Sequence, residues 1–341
     1  MKRSTFIWPL VALAAVLLFN LILTPGFFAI EIRDGRLFGS LIDVLNRAVP
    51  VLLLSIGMTL VIATGGVDLS VGAVMAIAGA VAACLIARPE GCILNSIPVH
   101  GSVPLILLVS LGFALVCGLF NGFLVGFLGL QPIVATLLLM VAGRGVAQLL
   151  TDGQIVIFTN NEFASLGRGA WLGFPMPVWI FLLTLGVVAF LFRGLALGTY
   201  VEATGNNARA AQICGIDARA VKILVYTICA LCAGWAGLIG TADIKGADAN
   251  NLGLYLELDA ILAVCIGGTA MTGGRFSLIG SVIGALLMQT LTTTILTRGI
   301  SPEATLVLKA VVVIVVCLLQ SPVLRERSAK EAPVEGGRTF G

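Results

Sequence analysis

The chain has 341 residues, of which 59% are hydrophobic and only 11% charged, with a mean hydropathy of +1.09. Soluble globular domains carry about 25% charged residues, so the deficit and the repeated apolar runs exclude one and indicate an all-α, polytopic membrane protein. The short alternating segments of a β-barrel are absent, and a net charge of +3 with dispersed basic residues argues against a nucleic-acid partner.

Lys2 and Arg3 precede an apolar run from Phe6 to Leu23, as in a signal peptide. The run exceeds a typical h-region and Thr24-Pro25-Gly26 is a poor cleavage site, so 6–25 reads as an uncleaved first span. A wet connection with Glu31, Arg33, Asp34 and Arg36 leads to an apolar hairpin, spans 44–64 and 70–88. Its turn, Thr64 to Gly72, holds Gly65, Gly66 and Asp68. A carboxylate near bilayer depth is costly and faces a cavity or a partner, and broken helices line transport paths. Alternatively, Asp68 caps a helix beginning at Leu69. Asn46 and Asn121 are further polar candidates for the path.

Spans 103–128 and 132–151 follow a loop containing Cys92 and the single histidine, His100. Arg144 lies between Gly143 and Gly145; it either snorkels or pairs inside the bundle, and the nearness of Asp152 favours snorkelling. A long polar loop, 152–175, precedes the span 176–193.

The segment YVEATGNNARAAQICGIDARAVK, Tyr200 to Lys222, is a charged knuckle in a greasy chain. Gly198 is expected to end the preceding helix and Glu202 to lie in the first turn of a short one, where its charge suits the dipole. Gly205, Ala208, Ala211 and Gly215 are small enough to seat that helix in a groove. Asn206, Asn207 and Arg209 are placed to bond to a partner's backbone. An amphipathic helix on lipid is the alternative, but the apolar face is mostly alanine. The knuckle therefore reads as a docking segment for a soluble partner.

After span 221–242 comes DIKGADANNLGLYLELD, with Asp243, Asp248, Asn250, Asn251, Tyr255, Glu257 and Asp259. Carboxylates and amides beside an aromatic ring suit a polyhydroxylated ligand, whose hydroxyls donate and accept; a solvated loop with helix caps is the plainer alternative. Span 257–272 runs into a second glycine turn, Gly267, Gly268, Gly273 and Gly274, before spans 277–297 and 304–321. The two glycine hairpins have matching orientation and suggest a degenerate parallel repeat. Residues 1–321 thus form one transmembrane domain of about ten helices with a coupling segment at 200–217, and 322–341 a disordered cytoplasmic tail. Basic residues in the knuckle and the tail place both ends inside.

The eight cysteines form no framework; Cys229 and Cys232, in a span, serve as packing residues. No metal site is expected. No P-loop, HExxH or GxSxG is present, so the chain is not expected to be an enzyme.

Four stretches, GMTLVIATGGVDLSVGAVMAIAGAV, NGFLVGFLGLQPIVATLLLMVAGRGVAQLLTDGQ, GTYVEATGNNARAAQICGI and GGTAMTGGRFSLIGSVIGALL, resemble in order and spacing the permeases of bacterial sugar ABC importers, the ribose, arabinose and xylose group. Within that family DGRLFGSLIDVLNRAVPV and IKGADANNLGLYLELDAILAV look like the galactofuranose type. The resemblance implies a type II-like permease in the bacterial inner membrane and a monosaccharide cargo, galactofuranose. It implies a second, non-identical permease, a periplasmic sugar-binding protein, and a cytoplasmic ATPase that binds ATP and Mg, while this chain holds no cofactor of its own. The family's coupling helix falls on Glu202–Gly215. An ion-coupled secondary sugar transporter is the alternative, motivated by Asp68, Glu257 and Asp259.

Overall fold

The computed structural model describes residues 7–24, 26–33, 35–89, 92–96 and 102–320. Lys2, Arg3, His100 and the tail at 322–341 lie outside them. Thirteen helices are described: α1 (Ile7–Leu23), α2 (Ser40–Ala63), α3 (Val71–Ala87), α4 (Val103–Gly122), α5 (Pro132–Leu150), α6 (Asn161–Arg168), α7 (Met176–Ala189), α8 (Leu197–Asn206), α9 (Ala208–Ile213), α10 (Ala218–Ile244), α11 (Leu256–Ile266), α12 (Leu278–Thr297) and α13 (Pro302–Gln320). Wider π-helical turns extend α4 through Phe123–Phe127 and α7 through Phe190–Gly194. Six short strands, β1 (Glu31–Arg33), β2 (Arg36–Phe38), β3 (Val156–Ile157), β4 (Ala170–Trp171), β5 (Phe174–Pro175) and β6 (Gly246–Ala247), pair antiparallel as β1–β2, β3–β6 and β4–β5.

A helix occupies each of the ten apolar stretches read from the sequence. Among the described residues six are long and apolar enough to cross a membrane: Ser40–Ala63, Val103–Phe127, Pro132–Leu150, Met176–Gly194, Ala218–Ile244 and Leu278–Thr297. The stretch read as a span over 257–272 is helical only over Leu256–Ile266, too short to cross the hydrocarbon by itself.

The centre is α2, α3 and α10. Of the apolar window of α2, 78% is buried, against 22% for α4 and α5 at the periphery. α3 is buried from Val71 to Leu85 because alanine and glycine on all sides let neighbouring backbones approach closely. At Gly237 of α10 a Cβ would collide with the backbone of Met75, which fixes α3 against α10 at van der Waals range. Asn46 and Pro50 of α2 lie beside Ile239–Asp243 of α10, and Gly57 beside Cys229, so α2 and α10 run antiparallel.

Two connections break the pattern of long helices and short turns. After Ala63 the chain turns back beside Tyr226, whose hydroxyl donates to the Val67 carbonyl at 3.4 Å. α3 therefore starts level with the middle of α10. After Ile244 the chain re-enters from the far end through 245–255, and α11 starts where Gly253 meets Gly72: a Cβ on Gly72 would lie 2.5 Å from the Gly253 carbonyl oxygen. At 1.5 Å per residue, Met75 lies about 10 Å below the Ile244 end of α10 and Gly72 about 15 Å below it. α2 with α3, and α10 with α11, are thus two units of the same plan in opposite orientation: a long helix, an unwound return and a part-length helix, meeting at mid-depth. The repeat is inverted, and it is carried by different segments from the two glycine hairpins that suggested a parallel one.

Candidate functional site

The knuckle and both glycine turns converge on one point. Gly274 N donates to the Ala63 carbonyl at 2.9 Å, which ties the turn after α11 to the end of α2. Asn206 Nδ2 of α8 donates to the Gly274 carbonyl at 3.5 Å. A Cβ on Gly205 would overlap the Ala63 carbonyl oxygen and lie 2.6 Å from Gly274 N. Gly65, Gly273 and Gly274 hold φ of +80, +82 and +89, where a side chain is strained. Gly66, Gly267 and Gly268 complete the two turns. No partner groove is needed to explain the glycine at 205, since α8 sits directly on backbone.

The knuckle differs from the expected single helix. α8 begins at Leu197, so Gly198 lies inside its first turn and does not end the preceding helix. Glu202 is consequently beyond the first turn, and the dipole argument for it fails. Asn207 breaks α8 from α9: its Oδ1 accepts from Arg209 N at 3.0 Å and Ala210 N at 3.1 Å, capping α9. Asn206 and Asn207 therefore serve this chain's own backbone. Ala211 is buried and Ala208 half-buried under α9, while Arg209, Gln212, Ile213 and Gly215 are exposed, Ile213 by 88%. These exposed groups are what the knuckle offers outward.

At mid-depth, Asp68 is 1% exposed. Its Oδ1 accepts from Ser70 N at 3.0 Å and Ser70 Oγ at 2.6 Å, the geometry of an Asx turn leading into α3. Asn121 Nδ2 donates to Ser70 Oγ at 2.8 Å and reaches Asp68 Oδ1 at 3.4 Å. Asp68 and Asn121 are thus joined inside the protein. Glu257 is also buried, 5% exposed, packed against Gly72 where α3 and α11 begin. Asp259, one turn into α11, pairs with Lys309 of α13 at 2.8 Å. Tyr255, before α11, holds a left-handed φ of +64, a costly conformation of the kind stored at functional sites.

The far end carries the remaining candidates. Arg144 does not reach for Asp152. Its Nη1 donates to the carbonyls of Ala249 and Leu252 at 3.0 and 2.6 Å, clamping the re-entrant segment to α5. Gln148 adds a bond to Asn250 Oδ1 at 2.7 Å. Asp248 accepts from the amides of Asn250 and Asn251 and from Asn251 Nδ2. The Asn251 side chain foremost, together with those amides and the Arg144 charge, holds the Asp248 carboxyl below the usual aspartate range. Asp243 pairs with Arg168 at 3.7 Å, both well exposed. Asn46 stands beside Asp243 in a hollow of about 160 Å³ that also includes Arg47, Pro50 and Gly240, and it lines a second of about 130 Å³ with Asp43 and Arg168.

Sequence reasoning missed Lys309. The signal was present, a lone lysine within an apolar run, but its partner fifty positions away was not readable. The Thr59–Ser281 bond at 2.6 Å, between α2 and α12, was also passed over. Cys229 and Cys232 are buried and unoxidised, packed where α10 crosses α2.

Residues 40–317 match the family of the branched-chain amino acid transport system permease component. The chain belongs to that family. The permease is 54% identical over 325 residues, 94% of its length and 92% of the relative's, to the galactofuranose transporter permease protein YtfT of Escherichia coli K12. It is 39% identical to the fructose import permease protein FruF of Bifidobacterium longum, covering 96% and 90% of the two chains. With the ribose import permease protein RbsC of Escherichia coli K12 the identity is 34%, over 92% of each. No solved structure matches it.

Proposed function

We propose that this chain is the transmembrane permease subunit of an ATP-driven importer that moves a monosaccharide, galactofuranose, from periplasm to cytoplasm across a bacterial inner membrane. The cargo follows the 54% identity to a galactofuranose permease over nearly the full length of both chains. The three relatives above take their names from sugars, which outweighs the amino acid in the family's description. The topology is ten spans with both ends inside, and the knuckle faces the cytoplasm.

The observation that carries the mechanism is the convergence of α8 on the end of α2 and the turn after α11. A separate ATPase, which binds ATP and Mg, docks on α9 through Arg209, Gln212 and Ile213. Closure of its nucleotide sites moves α9, and α8 passes the motion to both glycine turns. A second permease, a non-identical homologue, completes the path, and a periplasmic sugar-binding protein delivers the sugar to the far end, where Asn46, Asp243 and Asn250 lie.

The test is uptake of labelled galactofuranose into proteoliposomes holding the purified complex. Uptake that requires internal ATP and ignores a protonophore is the expected result. Uptake abolished by the protonophore and indifferent to ATP would favour an ion-coupled transporter using Glu257 and Asp259. Mass spectrometry of the complex, taken in mild detergent from the native host, reports whether an ATPase and a second permease accompany the chain.

A further inference from the structure

Unwound backbone at bilayer depth survives only where it is buried in protein or lines water, because lipid gives a free N–H or C=O no partner. The re-entrant segment descends about 15 Å below the Ile244 end of α10, and Asn250, Asn251, Leu254 and Tyr255 along it are exposed. Directly below, Tyr255, Leu258, Asp259 and Leu262 fall on one stripe of α11 at helical spacing. Tyr255 is 53% exposed and Leu258 49%.

Asp259 in that stripe meets Lys309, and 18% and 12% of the two side chains remain accessible. Among the described side chains of α13, Thr305 is buried and Lys309 nearly so, while Leu306, Val307, Val311 and Ile314 are exposed. An ion pair at this depth is costly against acyl chains and turns to water or protein. The outer faces of α4 and α7 show the contrasting chemistry: Val116, Leu119 and Phe120 on one, Leu182, Leu183 and Val187 on the other.

We propose that this seam, the descending segment 250–255, Leu258 and the partly accessible Asp259–Lys309 pair, is a wall of the water-filled path and the contact surface for a neutral, polyhydroxylated monosaccharide. The inference rests on the importer reading above. The Tyr255 hydroxyl and the Asn251 amide both donate and accept, Asp259 accepts and Lys309 donates, which is the mixture sugar hydroxyls use. Asp68, Asn121 and Glu257, each no more than 5% exposed, fall outside this wall. The opposite wall comes from the second permease.

Single cysteines at Asn251, Tyr255 and Leu258, with Val116 and Leu183 as apolar-face controls, test this in membranes of the native host with its own partner subunits. A charged, membrane-impermeant maleimide is applied in the nucleotide-free and the vanadate-trapped states, and each peptide is read separately so that native cysteines do not interfere. Thiols react as thiolates, which need water, so seam positions should be modified at least about tenfold faster than the controls in one of the two states. Modification no faster than the controls in both states overturns the proposal. Uptake measured on the same preparations separates the two claims. ATP-dependent uptake with an unmodified seam sinks the wall and leaves the importer standing. A modified seam with uptake indifferent to ATP leaves the wall and removes the importer.

Discussion

Gly205→Ala adds one methyl group where there is no room for it. The new Cβ would overlap the Ala63 carbonyl oxygen and lie 2.6 Å from Gly274 N. Both neighbours are backbone, so neither can rotate aside as a side-chain tip would. Overpacking of this kind costs about 1–3 kcal/mol, and prying Gly274 N from Ala63 O costs about 1 more. Replacing glycine by alanine in a helix returns about 1 kcal/mol, which leaves a net penalty of about 1–3 kcal/mol. If that strain falls on the state in which α8 is seated, its population drops about tenfold per 1.4 kcal/mol. Sugar uptake per permease should then fall between about fivefold and about a hundredfold, while the ATPase still hydrolyses ATP. The assay is ATP-driven uptake in proteoliposomes, normalised to permease, with ATPase rate and Tm measured on the same samples. Gly186→Ala is the control, because a Cβ there meets nothing within 4 Å; it should leave uptake unchanged and raise stability by up to about 1 kcal/mol. Wild-type uptake and Tm in Gly205→Ala, or equal damage from Gly186→Ala, would refute the reasoning.

Other outcomes follow from the clamp, the ion pair and the far loop. Arg144→Gln removes the two bonds to the Ala249 and Leu252 carbonyls; hydrogen exchange should quicken in 249–253 and stay unchanged in 64–70. Lys309→Met strands Asp259 and should destabilise by less than the roughly 3–5 kcal/mol of a fully buried pair, since both side chains keep some access. Adding Asp259→Leu should restore Tm but leave uptake impaired; recovery of both would reduce the pair to a structural tie. The folded Asp248 carboxyl titrates below the usual aspartate range, so its contribution is present above the unfolded value and lost as pH falls through the lowered one. Protection of the Asn250 and Asn251 amides should therefore fade only in acid, and Asp248→Asn should flatten the profile; protection that fades as pH rises would contradict this.

Much of the fold is written in composition. Apolar runs of helical length locate all ten long or part-length helices, because hydrocarbon demands continuous apolar surface and internally bonded backbone. What composition could not show is where a helix stops inside the protein. The stretch 257–272 is apolar almost to its end, yet its helix stops after Ile266, where Gly267 packs directly on Gly280 of α12 and Gly268 takes a φ of +86. The convergence of the knuckle with two glycine turns was hidden for a similar reason. Each motif was visible alone, yet Ala63, Gly205 and Gly274 are distant in sequence, and their contact is through backbone, which carries no residue signature. Asn206 and Asn207 illustrate the opposite error: polar side chains that looked available to a partner are used within the chain, Asn207 as the local cap of α9 and Asn206 on the distant Gly274 carbonyl.

On the proposed mechanism, the inverted units carry small displacements at the knuckle to mid-depth. α8 holds the last residue of α2 and the turn after α11 together, one element from each unit. The start of α3 and the chain just before α11 then meet backbone to backbone: a Cβ on Gly253 would lie 2.6 Å from the Gly72 carbonyl oxygen. The Glu257 side chain packs against Gly72 at the same point. On the proposed mechanism, a tilt of α11 at its lower end moves its Tyr255 end along α3, and packed cores respond to such shifts by switching between discrete arrangements rather than by deforming smoothly. On that mechanism, the exposed Tyr255 and Leu258 and the tie from Asp259 to Lys309 lie on the element that moves, so a push on α9 acts on the proposed wall.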